Sequence, residues 1–275
     1  MTSRSFITSD GVTLALHKRG QGENDFVFQH GLCGAASQPA EVMPNMDDMR
    51  LLTLECRGHG DSEAGDIKKF SIAQFADDVA AMISTLNAPV ILGGISMGAA
   101  MALRLAVTKP DLVRALVLAR PAWITDYAPD NMKANAYVGE LLSTYDPNEA
   151  EERFLASDNA LHLAAYAPDN LQSLKGFFNR PPFDVTAALL MKISSDGPGV
   201  DRAHLAKISI PTLVIGHEDD VIHPLAYAQE LANLIPHAEL AVITSKVRNK
   251  AAYVSDFQSC LLQFLTKVSH AETPH

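Results

Sequence analysis

The sequence predicts an α/β fold: a mainly parallel sheet with helices on both faces and an inserted helical lid. Two observations predict it. Short continuous apolar runs at residues 26–28, 90–92, 116–118 and 212–215 alternate with segments of helical periodicity. Such strands are buried on both faces, as in a parallel sheet covered by helices, with right-handed crossovers. The rhythm then breaks between residues 121 and 206, where no convincing strand appears.

The elements follow in order. Residues 6–7 and 12–16 flank Asp10-Gly11 and read as an opening hairpin. Residues 26–28 form a strand ending at Gln29-His30-Gly31, and residues 51–54 one ending at Glu55-Cys56-Arg57-Gly58-His59-Gly60. Between residues 71 and 86, Ile72, Phe75, Val79, Met82, Ile83 and Leu86 recur at helical spacing. Strands at 90–92 and 116–118 enclose a helix from 99 to 107. A strand at 212–215, a helix at 225–234, a strand at 240–243 and a helix at 251–265 complete the core, and a polar tail frays from about Ser269. The interrupting stretch carries Trp123, Tyr127, Tyr137, Tyr145, Phe154, Tyr166, Phe177, Phe178 and Phe183. Ligand sites are mostly apolar concavities, so these aromatics predict a pocket roof. The expected organisation is a core of residues 1–120 and 207–275 with a helical lid at 121–206. A peripheral helical extension is the alternative.

Composition narrows the function classes. A chain of 275 residues with 47% hydrophobic content suits one large domain, and its net charge of −10 argues against nucleic-acid or anionic-membrane partners. No apolar run approaches a membrane span, and no signal-peptide pattern precedes the first strand. Cys33, Cys56 and Cys260 are odd in number and far apart, which reads as reduced thiols in a cytoplasmic protein. No Gly-rich dinucleotide fingerprint follows a strand, so no nucleotide cofactor is implied. His217, Glu218, Asp219, Asp220 and His223 lie close together, but carboxylates at a helix start explain them more simply than a metal. Nothing indicates self-association.

Chemistry enters at Gly94-Ile95-Ser96-Met97-Gly98. An apolar strand leads in and a small-residue helix leads out, the context in which a serine is presented on a sharp strand-to-helix turn. The flanking glycines allow the tight turn and close packing of helix on strand. A serine at such a junction is also a common helix cap.

With His30-Gly31, Arg57-Gly58-His59-Gly60-Asp61-Ser62, the Gly94–Gly98 turn and the run from Gly216 to Pro224, the chain resembles the α/β-hydrolase superfamily over nearly its full length. The resemblance implies a site at the C-terminal ends of the strands, with Ser96 as nucleophile and the amides of Met97 and Leu32 as oxyanion donors. It implies an acid after the strand at 212–215, either Asp219 or, with better spacing to His223-Pro224, Asp220. His30 and His59 read as loop-framework residues, and nothing marks Cys33 as an activated thiolate.

The chain departs from that family where the histidine is expected. The loop after the last strand reads Thr244-Ser245-Lys246-Val247-Arg248-Asn249-Lys250, and no histidine lies between His237 and His270. Serine is a poor nucleophile without a base. Three readings remain: a displaced histidine, chiefly His223, with His217, His162 and His204 behind it; Lys246 as base; or no triad chemistry. The leading expectation is a serine-type hydrolase of a small ester, lactone or similar acyl compound, with Ser96, Asp220 and His223 as catalytic residues. Leu32, Met97, Arg120, Trp123 and Arg248 are the expected binding residues; Arg120, Arg248, Lys246 and Lys250 are candidates for an anionic group on the ligand. The alternative is a lidded small-molecule binding protein, or a hydrolase-fold member without triad chemistry.

Overall fold

The computed structural model describes residues 2–45 and 47–270. Its elements in chain order are β1 (Thr2–Ile7), β2 (Thr13–Arg19), β3 (Asn24–Gln29), α1 (Ser37–Val42), β4 (Met49–Leu54), α2 (Ile72–Ile83), β5 (Val90–Ile95), α3 (Met97–Thr108) and β6 (Val113–Ala119). After β6 come α4 (Lys133–Thr144), α5 (Pro147–Leu155), α6 (Asp158–Tyr166), α7 (Pro168–Gly176), α8 (Phe183–Ser194) and α9 (Arg202–Leu205). Then follow β7 (Thr212–Gly216), α10 (Leu225–Leu234), β8 (Glu239–Val242) and α11 (Lys250–His270). The strands form one sheet ordered β1-β2-β4-β3-β5-β6-β7-β8. Only β1–β2 and β2–β4 pair antiparallel; every later pair is parallel.

Side-chain alternation explains why the strands read as unbroken apolar runs. Phe26, Phe28, Ile91, Val117 and Ile215 face one side, where they meet Tyr253, Phe257, Leu261 and Phe264 of α11. Val27, Leu92, Leu116, Leu118 and Val214 face the other, packed with Phe75 and Val79 of α2, Met101 and Leu105 of α3, and Leu231 of α10. Fully burying one such side chain is worth about 1.5–3 kcal/mol relative to exposure. No strand in the centre of the sheet has a face to spare for solvent.

Three boundaries differ from the sequence reading. The helix expected to reach Leu86 ends at Ile83, because Thr85 N and Leu86 N bond back to Met82 O and Ile83 O and turn the chain. Strand β5 runs on through Gly93-Gly94 to Ile95, and a Cβ on Gly93 would meet Phe28 and Val117 at 2.8 Å. Helix α11 continues to His270 instead of fraying at Ser269; the rest of the expected tail, residues 271–275, lies outside the described residues.

Between β6 and β7 all the described regular elements are helical. Helices α4 and α8 approach closely because Gly139 has no Cβ, which would stand 2.9 Å from Leu190 Cβ. The aromatics of this segment are not gathered as a pocket roof. Phe154 and Phe178 are buried against each other and Tyr137 inside the segment's own core, whereas Tyr127 and Tyr166 are exposed. Trp123, expected to line a pocket, is 1% exposed and donates from Nε1 to Asp196 O at 2.9 Å. Its role here is core packing.

Candidate active site

Ser96 sits between the end of β5 and the start of α3 with φ +56° and ψ −112°, a region that side chains other than glycine's rarely occupy. Neighbouring backbone holds it there. Ser96 N donates to Ala119 O at 3.0 Å, and Ser96 O accepts from Ala99 N and Ala100 N at 3.0 and 3.2 Å. Its side chain caps no helix N–H, and its hydroxyl carries no hydrogen bond among the described residues. The flanking glycines are steric necessities. A Cβ on Gly94 would lie 2.3 Å from Gly98 C, and one on Gly98 would lie 2.5 Å from Gln29 O. Gly98→Ala is therefore expected to cost about 2–4 kcal/mol, because the clash is with backbone that cannot swing away. A urea titration showing less than about 0.5 kcal/mol lost would refute the close approach.

Two backbone amides flank the serine. Met97 is the first residue of α3, so its N–H has no acceptor within the helix. Leu32 follows Gly31, where a Cβ would stand 3.4 Å from Ser96 Cβ; the Leu32 amide makes no hydrogen bond among the described residues. This loop is pinned by buried imidazoles. His30 Nε2 accepts from Cys56 N and His59 Nε2 accepts from Cys33 N, both at 3.0 Å. Each Nδ1 lies against a carbonyl, Gly31 O at 2.8 Å and Arg57 O at 2.9 Å. Burial lowers both pKa values, so both rings are neutral with the proton on Nδ1. Gln38 Oε1 accepts from Gly31 N at 2.7 Å, and Glu55 braces the next turns by accepting from Ala36 N and Asp61 N at 2.9 and 2.8 Å. Burial pushes the Cys33 thiol up to about 12, which leaves it inert.

The two candidate acids have different partners. Asp219, at φ +61°, pairs with Arg248 Nε at 2.7 Å. The Asp220 side chain is 1% exposed and faces inward. Asp220 Oδ1 accepts from His223 N at 3.0 Å, and His223 Nδ1 lies 3.0 Å from both carboxylate oxygens. The turn-capping and imidazole-orienting roles thus belong to the same residue. Two acceptor oxygens facing Nδ1 place the His223 proton there and leave Nε2 with a lone pair.

The third partner is Arg120, which follows β6 with φ +44° and its N bonded to Ile215 O at 2.7 Å. Its Nη2 and Nε donate to Asp220 Oδ2 at 2.6 and 3.1 Å, and Nη2 is 3.2 Å from His223 Nδ1. Burial works against the Asp220 charge, but His223 and Arg120 outweigh it and hold the carboxyl well below its usual range. For His223, burial lowers the pKa, Asp220 raises it, and Arg120 and Lys246 lower it; the net shift is downward. A neutral imidazole is the result.

The structure corrects the cationic-loop expectation. Arg120 is committed to Asp220, Arg248 pairs with Glu218 and Asp219 on the surface, Lys246 with Asp169 at 3.2 Å, and Lys250 with Glu41 at 2.7 Å. An anion recruited there would have to displace a carboxylate already bound. The other histidines are also engaged locally. His217 is buried edge-on to Tyr253 with Nδ1 at 2.6 Å from Glu218 O, His162 stacks on Tyr166, and His204 closes a capping box with Asp201. Sequence reasoning missed Tyr253, whose ring lies 6.0 Å from the Arg120 guanidinium. It also missed the pairing of Arg120, although an arginine directly after the apolar run 115–119 was a visible signal.

The family model described as alpha/beta hydrolase fold matches residues 25–246. The chain belongs to the alpha/beta hydrolase fold family. It is similar to the candidate carbamate hydrolase RutD of Stutzerimonas stutzeri (strain A1501), at 28% identity over 253 residues covering 88% of this chain and 91% of that one. It is also similar to the candidate non-heme bromoperoxidase BpoC of Mycobacterium tuberculosis (strain ATCC 25618 / H37Rv), at 30% identity with 82% and 87% coverage. Among solved structures, a thermophilic esterase from Thermogutta terrifontis superposes with a TM-score of 0.74 over 98% of this chain and 99% of that one, at 20% identity, a likeness of fold. In this alpha/beta hydrolase, Ser96 and Asp220 stand after β5 and β7. The loop after β8, residues 244–250, carries no histidine where the resemblance implies one; it is turned by Arg248 N and Asn249 N, which both donate to Ser245 O at 3.1 Å.

Proposed function

We propose that this alpha/beta hydrolase is a serine-type hydrolase of a small ester, lactone or similar acyl compound that uses His223 as a non-standard base. The observation that carries the reading is Ser96 itself, a strained serine with an uncommitted hydroxyl beside two amides suited to an oxyanion. Ser96 Oγ attacks the acyl carbonyl while its proton passes to His223 Nε2. The amides of Leu32 and Met97 receive the oxyanion, and fixed dipoles in a dry site can be worth several kcal/mol, ~3 per donor. The leaving group departs with the imidazolium proton, and water then repeats the sequence on the acyl-serine. Proton transfer requires Oγ and Nε2 to close to about 2.6–3.2 Å, an approach completed on substrate binding. The names of RutD and the Thermogutta esterase support a hydrolytic reading.

Residues 121–206 serve as the lid over this site in the same proposal. The segment touches three site loops. Asp169 meets Lys246, Asn170 Oδ1 accepts from Val221 N at 2.8 Å, and Arg180 Nη2 donates to Gly58 O at 2.7 Å.

A second reading is a lidded binding protein without triad chemistry. It is favoured by the absence, among the described residues, of any hydrogen bond to Ser96 Oγ and by the capture of Asp220 by Arg120. Intact-protein mass after exposure to a fluorophosphonate separates the two. The wild type is expected to gain one adduct, and His223→Ala to label ~10²–10⁴-fold more slowly. Undiminished labelling of His223→Ala removes His223 from the mechanism. Folded wild type that takes no label sinks the hydrolase reading in favour of binding.

A further inference from the structure

The Asp220 carboxylate is shared between His223 and Arg120. We propose that Arg120 is a positioning residue that keeps His223 neutral into the acidic range, so that the site works at lower pH than an unaccompanied Asp–His pair; this rests on His223 being the base. Geometry is the first support. Arg120 is 8% exposed, holds Asp220 Oδ2 through two N–H groups, and brings Nη2 within 3.2 Å of His223 Nδ1. Its positive φ is strain at a non-glycine residue, sustained because Arg120 N is bonded to Ile215 O and the guanidinium to Asp220.

Electrostatics gives the direction. A carboxylate alone beside an imidazole favours the imidazolium, whereas a guanidinium at similar range opposes it. The groups that bear on His223 are Asp220 from its own loop, Arg120 from the end of β6, Lys246 from the loop after β8, and His217 after β7; Tyr253 of α11 stands against Arg120. Of these, Asp220 alone favours protonation. Asp220 favours protonation by its charge and its hydrogen bond, Arg120 opposes part of this, and burial with Lys246 leaves the net shift downward and the ring neutral. Loss of Arg120 removes the larger of the two cationic oppositions to the Asp220 charge, leaving Lys246, and His223 then takes a proton at higher pH.

The test is an NMR titration of the His223 imidazole, assigned by its loss in His223→Gln. This readout needs no catalysis, so it stands apart from the labelling test of the hydrolase reading. Arg120→Met is expected to raise the titration midpoint by about one pH unit or more, and Arg120→Lys, which keeps the charge, by a few tenths at most. The acid limb of the labelling rate should move with it. If Arg120→Met folds and titrates like wild type, the proposal is overturned. If that variant does not fold, the paired variant Arg120→Met/Asp220→Asn removes both charges. A higher midpoint in the paired variant than in Asp220→Asn alone then supports the opposition of Arg120 to protonation, and an equal or lower midpoint overturns it.

Discussion

Ser96→Ala is expected to lower fluorophosphonate labelling and ester hydrolysis by ~10³-fold or more while leaving stability almost unchanged. Alanine keeps the Cβ and therefore keeps the backbone strain at φ +56°. Ser96→Gly should be equally inactive but more stable. A sparsely populated conformation costs about 1–3 kcal/mol, which glycine relieves, less about 0.5–1 kcal/mol for the greater freedom of glycine in the unfolded chain. The net gain is about 1 kcal/mol, read as a higher urea midpoint at unchanged slope. The difference between the two variants is the informative quantity. A Ser96→Gly midpoint below that of Ser96→Ala would mean that the turn is not strained, because only the cost of glycine's freedom in the unfolded chain would remain. A fast-labelling Ser96→Ala would place the reactive serine elsewhere.

The turn was legible in the sequence because its backbone leaves few choices. Gly94 and Gly98 are required by approaches of 2.3 and 2.5 Å, and a serine between them announces its own conformation. The sheet was legible for a similar reason, since every central strand is apolar on both faces. Spacing to His223-Pro224 favoured Asp220 over its neighbour Asp219, but their partners emerge only in three dimensions, Arg248 for Asp219 and Arg120 with His223 for Asp220. Arg120 was read as a ligand for an external anion, because a lone arginine in sequence does not display a partner 100 residues away. The aromatics of residues 121–206 were misplaced for lack of a comparable rule. Ring-rich helices pack on one another as readily as on a ligand, and Phe154 and Phe178 do so.

Loops that carry no regular structure need another source of rigidity, and buried polar pairs supply it at both ends of the site. Arg120 ties the chain after β6 to that after β7, and Asn131 Nδ2 bonds both Ala122 O at 3.0 Å and Ile222 O at 2.6 Å. On the far side of Ser96, the amide loop at Gly31–Cys33 depends on His59, which in turn is held by the chain at Arg57. The Arg57 anchor lies one step removed from the serine, so its loss tests folding more directly than chemistry.

Arg57→Leu is expected to destabilise the protein by about 3–5 kcal/mol, the largest stability effect of any single change considered. The Arg57 side chain is 1% exposed. It donates to Asp78 of α2 from Nε and Nη2 at 2.7 and 2.9 Å, and to Asp10 of the β1–β2 turn from Nη1 and Nη2, both at 2.8 Å. Removing the cation strands the Asp78 carboxylate, 6% exposed, without its counter-charge. The desolvation cost of that lone anion, and not the worth of the pair, sets the size of the loss. It follows that Arg57→Leu/Asp78→Leu should recover most of the stability, because two apolar side chains can fill the space without an unpaired charge. Asp10→Asn should cost only a fraction as much as Arg57→Leu, since the Asp10 side chain is 37% exposed and water can replace the guanidinium. Chemical denaturation of the four proteins at pH 7 decides between these accounts. If the double variant is no more stable than Arg57→Leu, the network contributes through its own hydrogen bonds, and the argument from the stranded carboxylate fails.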